Sequence, residues 1–272
     1  MYFFYFIRGN VSLLNDIANI SLSQIALIFM LKTLNLIFMS NININILNYL
    51  KIKLSQRESL ELTIKNTLGN LTAPLKLGTG YKVSYLKDNY KFKISDFIYW
   101  NTFFTIFNLL PLAICYILFG MLLGAPLITG NKIESISLTI LITALIFLIP
   151  KSSLIRLKEK KFRVMSKRNL LIQLNYILFY LSSSVIVLLI ASNFSENLKF
   201  FSSLSYNFLG SFVGLVNLTP GNLGIKEAVI ILFDNIHKIS FQVVIITSFI
   251  ERLFSFIAIF STYTFLKLKR DK

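Results

Sequence analysis

The chain has 272 residues, 55% of them apolar and 15% charged, with a net charge of +16 and a mean hydropathy of +0.67. A soluble domain cannot cover so much apolar surface, because even a well-packed core leaves the outer faces of its helices in water, so lipid must be the solvent. The charge does not point to nucleic acid: Lys and Arg sit in short segments between long apolar runs, with no basic face and no nucleic-acid-binding module.

A spanning helix needs about 20 mostly apolar residues, and the runs can be read in order. Met1 to Ile7 are apolar but Arg8 follows them rather than preceding them, so no cleavable signal peptide is expected. Ile17 to Leu50 is speckled with Asn and interrupted by Lys32; it is predicted to hold at least one crossing, with Lys32 snorkelling to a headgroup. Leu60 to Ala73 is too short or too polar for a plain crossing. Phe97 to Leu122 is a clear span, Ile133 to Pro150 a short one, and Leu170 to Ser192 and Phe200 to Leu218 are clear again. A second weak segment, Leu223 to Phe233, precedes the closing span Phe241 to Leu266. The expected fold is an all-α integral membrane protein: a polytopic helix bundle with about six or seven crossings and two broken or re-entrant helices. Residues 1–272 are expected to form a single transmembrane domain.

Loop charge gives the orientation. Lys151 to Arg168 holds eight basic residues against Glu159 alone, Lys76 to Asp96 holds five, and the tail carries Lys267, Lys269, Arg270 and Lys272. Leu123 to Ser135 and Asn193 to Lys199 hold one each, Lys132 and Lys199. The three basic segments are therefore read as cytoplasmic loops, which places a multi-pass protein in the plasma (inner) membrane with its C-terminus in the cytoplasm. That arrangement needs Leu223 to Phe233 to reach the outer side despite its length, so the breaker before it must lie inside the membrane.

Soluble-enzyme chemistry finds no foothold. Cys115 is the single cysteine and His237 the single histidine, so there is neither an internal disulfide nor a Cys/His metal cluster, and only Asp234 stands near His237 to support a catalytic triad. Leu77-Gly78-Thr79-Gly80-Tyr81 carries two glycines of a dinucleotide fingerprint and no preceding strand. No catalytic residue, metal site or cofactor is expected.

Two passages break the apolar pattern. Asn217-Leu218-Thr219-Pro220-Gly221-Asn222-Leu223-Gly224-Ile225-Lys226-Glu227 combines proline, which removes a backbone donor, with glycines that permit positive φ, so a helix must stop and restart there. The restarted helix exposes N–H groups and the positive end of its dipole, which attract anions. Asn70-Leu71-Thr72-Ala73-Pro74-Leu75-Lys76-Leu77-Gly78-Thr79-Gly80-Tyr81-Lys82 repeats the order Asn-Leu-Thr, Pro, Gly four residues after the Pro, then Lys. Paired Gly/Pro-interrupted segments in the two halves of a membrane protein point to a midplane substrate site.

These residues resemble a known family. Pro74 to Lys87 is similar to the "P-x-x-x-G-[DE]-x-x-R-x-x-x-L" element of the flippase-like transmembrane family typified by the membrane region of lysylphosphatidylglycerol synthase, and Pro220 to Ala228 is similar to its "P-G-G-x-G-x-[RK]-E" element. Thr79 replaces the usual acid, Lys82 the usual Arg and Asn222 a glycine; losing the acid removes support for ion coupling at that position. The N-terminus looks shorter by about one helix than the family's larger members, and no aminoacyl-transfer domain is expected after Lys272. The resemblance therefore implies binding or translocation of a lipid rather than lipid synthesis.

Charges inside spans complete the candidate site, because they are costly in lipid and face one another or a polar cavity. Glu251 and Arg252 lie mid-span, and Lys226 and Glu227 open the preceding half-helix. They either build a polar cavity that draws in a phosphate or form a structural ion pair between helices. The candidate substrate-binding residues are Asn70, Pro74, Gly78, Lys82, Asn217, Pro220, Gly221, Gly224, Lys226, Glu227, Glu251 and Arg252. The expected partner is membrane lipid, an anionic phospholipid or lipid-linked sugar. The expected function is a flippase-like protein, with a non-transporting membrane subunit or enzyme of lipid or cell-surface polysaccharide modification as the alternative.

Overall fold

The structure is a computed structural model that describes residues 20–90, 92–104, 166–195, 198–216, 218–232 and 239–269. The expected spans at Phe97 to Leu122 (past residue 104) and Ile133 to Pro150, most of the Lys151 to Arg168 loop, and Cys115, Asn217, Asp234 and His237 lie outside the described residues. Every regular element among the described residues is helical.

Helix α1 (Leu22–Leu47) starts at a capping box, with the Gln24 N–H donating to the Ser21 hydroxyl while the Gln24 side chain accepts from the Ser21 N–H at 3.0 Å. A 3-10 turn, Asn48–Leu50, extends it until Lys51 turns left-handed at φ 62°. The asparagines that blur its hydropathy fasten it to its neighbours: Asn35 donates to Ser183 at 3.0 Å and Asn43 to Thr63 at 2.8 Å.

Helix α2 spans Gln56–Thr72, α3 Leu77–Tyr90 and α4 residues 94–104. Helix α5 (Lys167–Ala191) runs antiparallel to α1. Tyr49 donates to Asn169 at 2.6 Å at one end, and Ile186 and Ile190 share a buried cluster with Ile20 and Ile28 at the other. Helices α6 (Phe200–Val216) and α7 (Ile225–Leu232) precede α8 (Phe241–Leu268), which runs parallel to α1: Ile246 and Ile250 join that same cluster, and Ile259 packs with Leu36 further along. Three of these segments, Leu22–Leu50, Lys167–Ala191 and Phe241–Leu268, are long and apolar enough to cross a membrane.

The basic residues flanking these three helices gather at one end. The Arg168 guanidinium lies 5.1 Å from the Tyr49 ring, and Arg57 donates to the Leu266 carbonyl at 2.5 Å.

The remaining helices form two hairpins. From the basic end, α2 runs alongside α8 for about 21 Å between Arg57 and Leu71, and α3 returns beside it. Lys65 donates to Tyr81 at 3.2 Å, and Tyr85 and Tyr90 both donate to Glu58, at 2.9 and 2.6 Å. The stretch Lys76 to Asp96, expected as a cytoplasmic loop, is thus mostly helix, because α2 offers it a packing face that loop-charge counting does not see. From the opposite end, α6 descends with Tyr206 and Leu209 against Val187 and Ala191, and α7 climbs back, placing Lys226 beside Gly210 and Ile230 beside Tyr206. The hairpin tips meet: a Cβ at Gly221 would stand 3.4 Å from the Leu71 side chain.

Candidate functional site

Proline and left-handed residues build the second tip. Thr219 is extended, Pro220–Asn222 forms one 3-10 turn, and Gly221, Asn222 and Gly224 have φ of 55°, 56° and 84°. Asn222, which stands where the family pattern has glycine, is the non-glycine type that best tolerates this region, so the departure leaves the turn intact. The chain re-enters α7 at Ile225, which aims Lys226 and Glu227 at α8.

There they meet the mid-span charges. Glu251 accepts from Lys226 at 2.9 Å and from Lys32 of α1 at 3.0 Å. One residue on, and so about 100° around the helix, Arg252 faces the other way and pairs with Glu227 at 2.8 Å while donating to the Gly221 carbonyl at 3.2 Å. Glu227 also accepts from the Ser248 hydroxyl and from the Gly224 N–H at 2.7 Å. The Lys226 ammonium lies 4.5 Å from the Tyr206 ring centre, a cation–π contact on its remaining side. The five charged side chains keep only 9–17% of their surface exposed.

Two expectations change here. Lys32 does not snorkel: ten residues into α1, about 15 Å from the helix start, its ammonium is directed at Glu251 and the residue is 9% exposed. The restarted helix end is not open to an external anion at Gly224, because the Glu227 carboxylate of the same helix already caps that N–H.

The first tip is built by close packing. Leu75 and Lys76 make its turn, both with φ 56°. Gly78 is helical, and a Cβ there would fall 2.0 Å from the Asn66 carbonyl oxygen, so glycine serves the helix–helix approach rather than a turn. Asn70 and Thr79 bond reciprocally across the hairpin: the Thr79 N–H donates to Asn70 at 3.2 Å and Asn70 donates to the Thr79 hydroxyl at 3.3 Å.

Lys82 is buried at 4% exposure. It donates to Asn43 at 2.5 Å and sits 5.4 Å from the Phe97 ring centre, and no described carboxylate pairs with it. Asn43 is eleven residues beyond Lys32 on α1, about 16 Å away along the axis. The buried Leu36, Ile64 and Ile259 pack together, with Leu36 lying between Lys32 and Asn43 along α1. The structure thus brings Gly221, Gly224, Lys226, Glu227, Glu251 and Arg252 together, and leaves Lys82 in a separate polar pocket. Asn70 and Gly78 tie the first hairpin, while Pro74 and Pro220 are exposed at the tips. Sequence reasoning missed Lys32, Tyr206, Ser248 and Asn43 as members of these centres. Only Lys32, a lone charge within an apolar run, carried a signal that could have found it.

Spanning helices, two opposed hairpins and a buried ion cluster define a polytopic α-helical membrane protein. A family model described as "Lysylphosphatidylglycerol synthase TM region" matches residues 2–262, and the chain belongs to that family. It is therefore a membrane protein related to lipid modification. No curated protein and no solved structure matches the chain.

Proposed function

We propose that this protein binds and translocates an anionic phospholipid or a lipid-linked saccharide, with the ion cluster at the meeting of the hairpin tips as its headgroup site. The observation that carries this reading is the depth and make-up of the cluster. Charges about 15 Å inside two spanning helices are costly to keep in lipid, and cations outnumber carboxylates. The hairpins support it too: one comes from each end and their tips meet beside the cluster, the paired broken segments that mark a midplane substrate site. In this reading the basic end is cytoplasmic, attracted by anionic headgroups, and the membrane is the plasma membrane.

Transport is tested by reconstituting the purified chain into liposomes and following labelled phosphatidylglycerol and a labelled lipid-linked saccharide between leaflets. Leaflet exchange above that of protein-free vesicles is expected; exchange no faster than in empty vesicles for both overturns the proposal. Orientation is tested in a Cys115-free background, where cysteines at Lys160 and Lys269 should be shielded from an impermeant thiol reagent in intact cells and one at Asn131 should label.

A further inference from the structure

We infer that an internal water site lies between α6 and α8, on the side of the ion cluster away from the basic end. It is held by the hydroxyls of Tyr206, Thr247 and Ser203 and joined through Ser248 to Glu227. The inference goes beyond the lipid-binding reading and stands without it.

A Ser or Thr inside a helix can donate its hydroxyl proton to the carbonyl one turn back, and the neighbours of these residues do so. On α6, Ser205 donates to the Phe201 carbonyl at 3.0 Å and Ser211 to that of Asn207 at 2.6 Å. On α8, Ser255 donates to the Glu251 carbonyl at 2.8 Å and Thr262 to that of Ala258 at 2.7 Å. Ser203 and Thr247 break this habit. They are 0% and 1% exposed, yet their hydroxyls, like that of the fully buried Tyr206, have no hydrogen-bond partner among the described residues.

Packing brings the three toward one place. Tyr206 shares a buried cluster with Val243 and Val244 of α8, and its ring faces the Lys226 ammonium that Glu251 binds. Thr247 follows Val243 by four residues and precedes Glu251 by four, so it occupies the turn of α8 between them on the same face. The Tyr206 hydroxyl is directed at Ser248, the next residue, whose own proton goes to Glu227. Ser203 lies one turn back on α6, and a helical side chain leans over the preceding turn, which carries the Tyr206 ring toward it.

Burial and charge choose the occupant. An unpaired hydroxyl in an apolar interior is costly, and a buried water with about three polar partners relieves that cost. The surroundings of Tyr206 are apolar and closed, with Val187 and Ala191 of α5, Leu209 of α6 and Ile230 of α7 all buried around it, which leaves no room for a lipid headgroup. A metal cation is opposed by Lys226, whose ammonium stands 4.5 Å from the Tyr206 ring centre. Water donates and accepts equally, so it can satisfy hydroxyls of any orientation. Placed here, it carries the hydrogen bonds of Glu227 and Ser248 on to Tyr206 and Thr247, which helps to solvate charges held deep in lipid.

The test uses X-ray radiolysis, in which hydroxyl radicals form from water in place and oxidise the side chain beside it. Purified full-length protein in detergent is pulsed, and oxidation at each aromatic residue is read by mass spectrometry after digestion. No substrate lipid is added, so the outcome is independent of the transport reading. Tyr206 should be oxidised several-fold faster than Phe208, its neighbour on α6 at 1% exposure. The double variant Ser203→Ala/Thr247→Val keeps Tyr206 but removes the other hydroxyls that hold the water, and should bring the Tyr206 rate down to that of Phe208. Thr247→Val alone takes its place where the double variant is not monodisperse. Melting of Thr247→Val gives a second reading. With the water present, valine removes one of its bonds and should lower the melting temperature; with none, valine replaces an unpaired hydroxyl by a methyl group and raises it. Native Tyr206 oxidised no faster than Phe208, a rate unchanged in the variant, or a melting temperature raised by the valine each overturns the site.

Discussion

The α2–α3 and α6–α7 hairpins interrupt the chain at the same residue order, Asn-Leu-Thr with a proline and then a glycine four residues on, yet they complete the break in opposite ways. In the second hairpin the backbone carries the turn through Gly221, Asn222 and Gly224, and the glycine of the shared pattern, Gly224, is left-handed. In the first, the matching glycine, Gly78, is helical and serves a close helix crossing, while Leu75 and Lys76 take the positive φ. The electrostatics diverge as well. Lys226 meets a carboxylate because α8 presents Glu251, whereas α1 offers Lys82 only the amide of Asn43, backed by the face of Phe97. A short breaker motif thus fixes where a helix stops; the helix across from it decides whether the stop becomes an ion site or a packing joint.

The largest expected effect breaks the ionic side of this contrast. Glu251→Gln leaves Lys32 and Lys226 buried without a carboxylate and should lower stability by about 3–5 kcal/mol, read as thermal unfolding in detergent. A loss under about 1 kcal/mol would mean that the cluster is well hydrated and unlike a buried pair.

Next comes the packing joint. Gly78→Ala drives a Cβ to 2.0 Å from the Asn66 carbonyl oxygen and 2.8 Å from the Asn70 nitrogen, backbone atoms that yield little, and should cost about 1–3 kcal/mol. Gly80→Ala, two residues on with nothing within 4 Å of the new Cβ, should be neutral or stabilising by about 0.5 kcal/mol through helix propensity. Equal effects at the two positions would abolish the distinction.

At the second tip, Asn222→Val should cost about 1–2 kcal/mol because a β-branched residue resists φ 56°, while Asn222→Gly should stay within a few tenths of a kcal/mol. The same melting series reads both, and a tolerated valine would show that the turn rearranges.

The smallest effect is expected at Lys82. With no described carboxylate to strand, Lys82→Met should change stability by less than about 1 kcal/mol in either direction, since removing an unpaired buried charge offsets the lost bond to Asn43. A loss as large as that of Glu251→Gln would place a buried anion beside it.

Much of this architecture was legible in the sequence because it depends on local quantities. Apolar run length identified lipid as the solvent and located α1, α5 and α8, and proline with glycine marked both tips, since a missing N–H and a missing Cβ act on the backbone wherever the chain lies. The mid-span position of Glu251 and Arg252 and the helix-opening position of Lys226 and Glu227 could likewise be read from spacing. What only the tertiary structure decided is who faces whom. Lys32 pairs with a carboxylate 219 residues away, Glu227 caps its own helix instead of leaving that end to a ligand, and Gly78 is required by Asn66 on the neighbouring helix rather than by its own φ. The physical reason is that a backbone break is a property of a few consecutive residues, whereas the partner of a buried charge is set by which helices pack together and by how each is rotated about its axis.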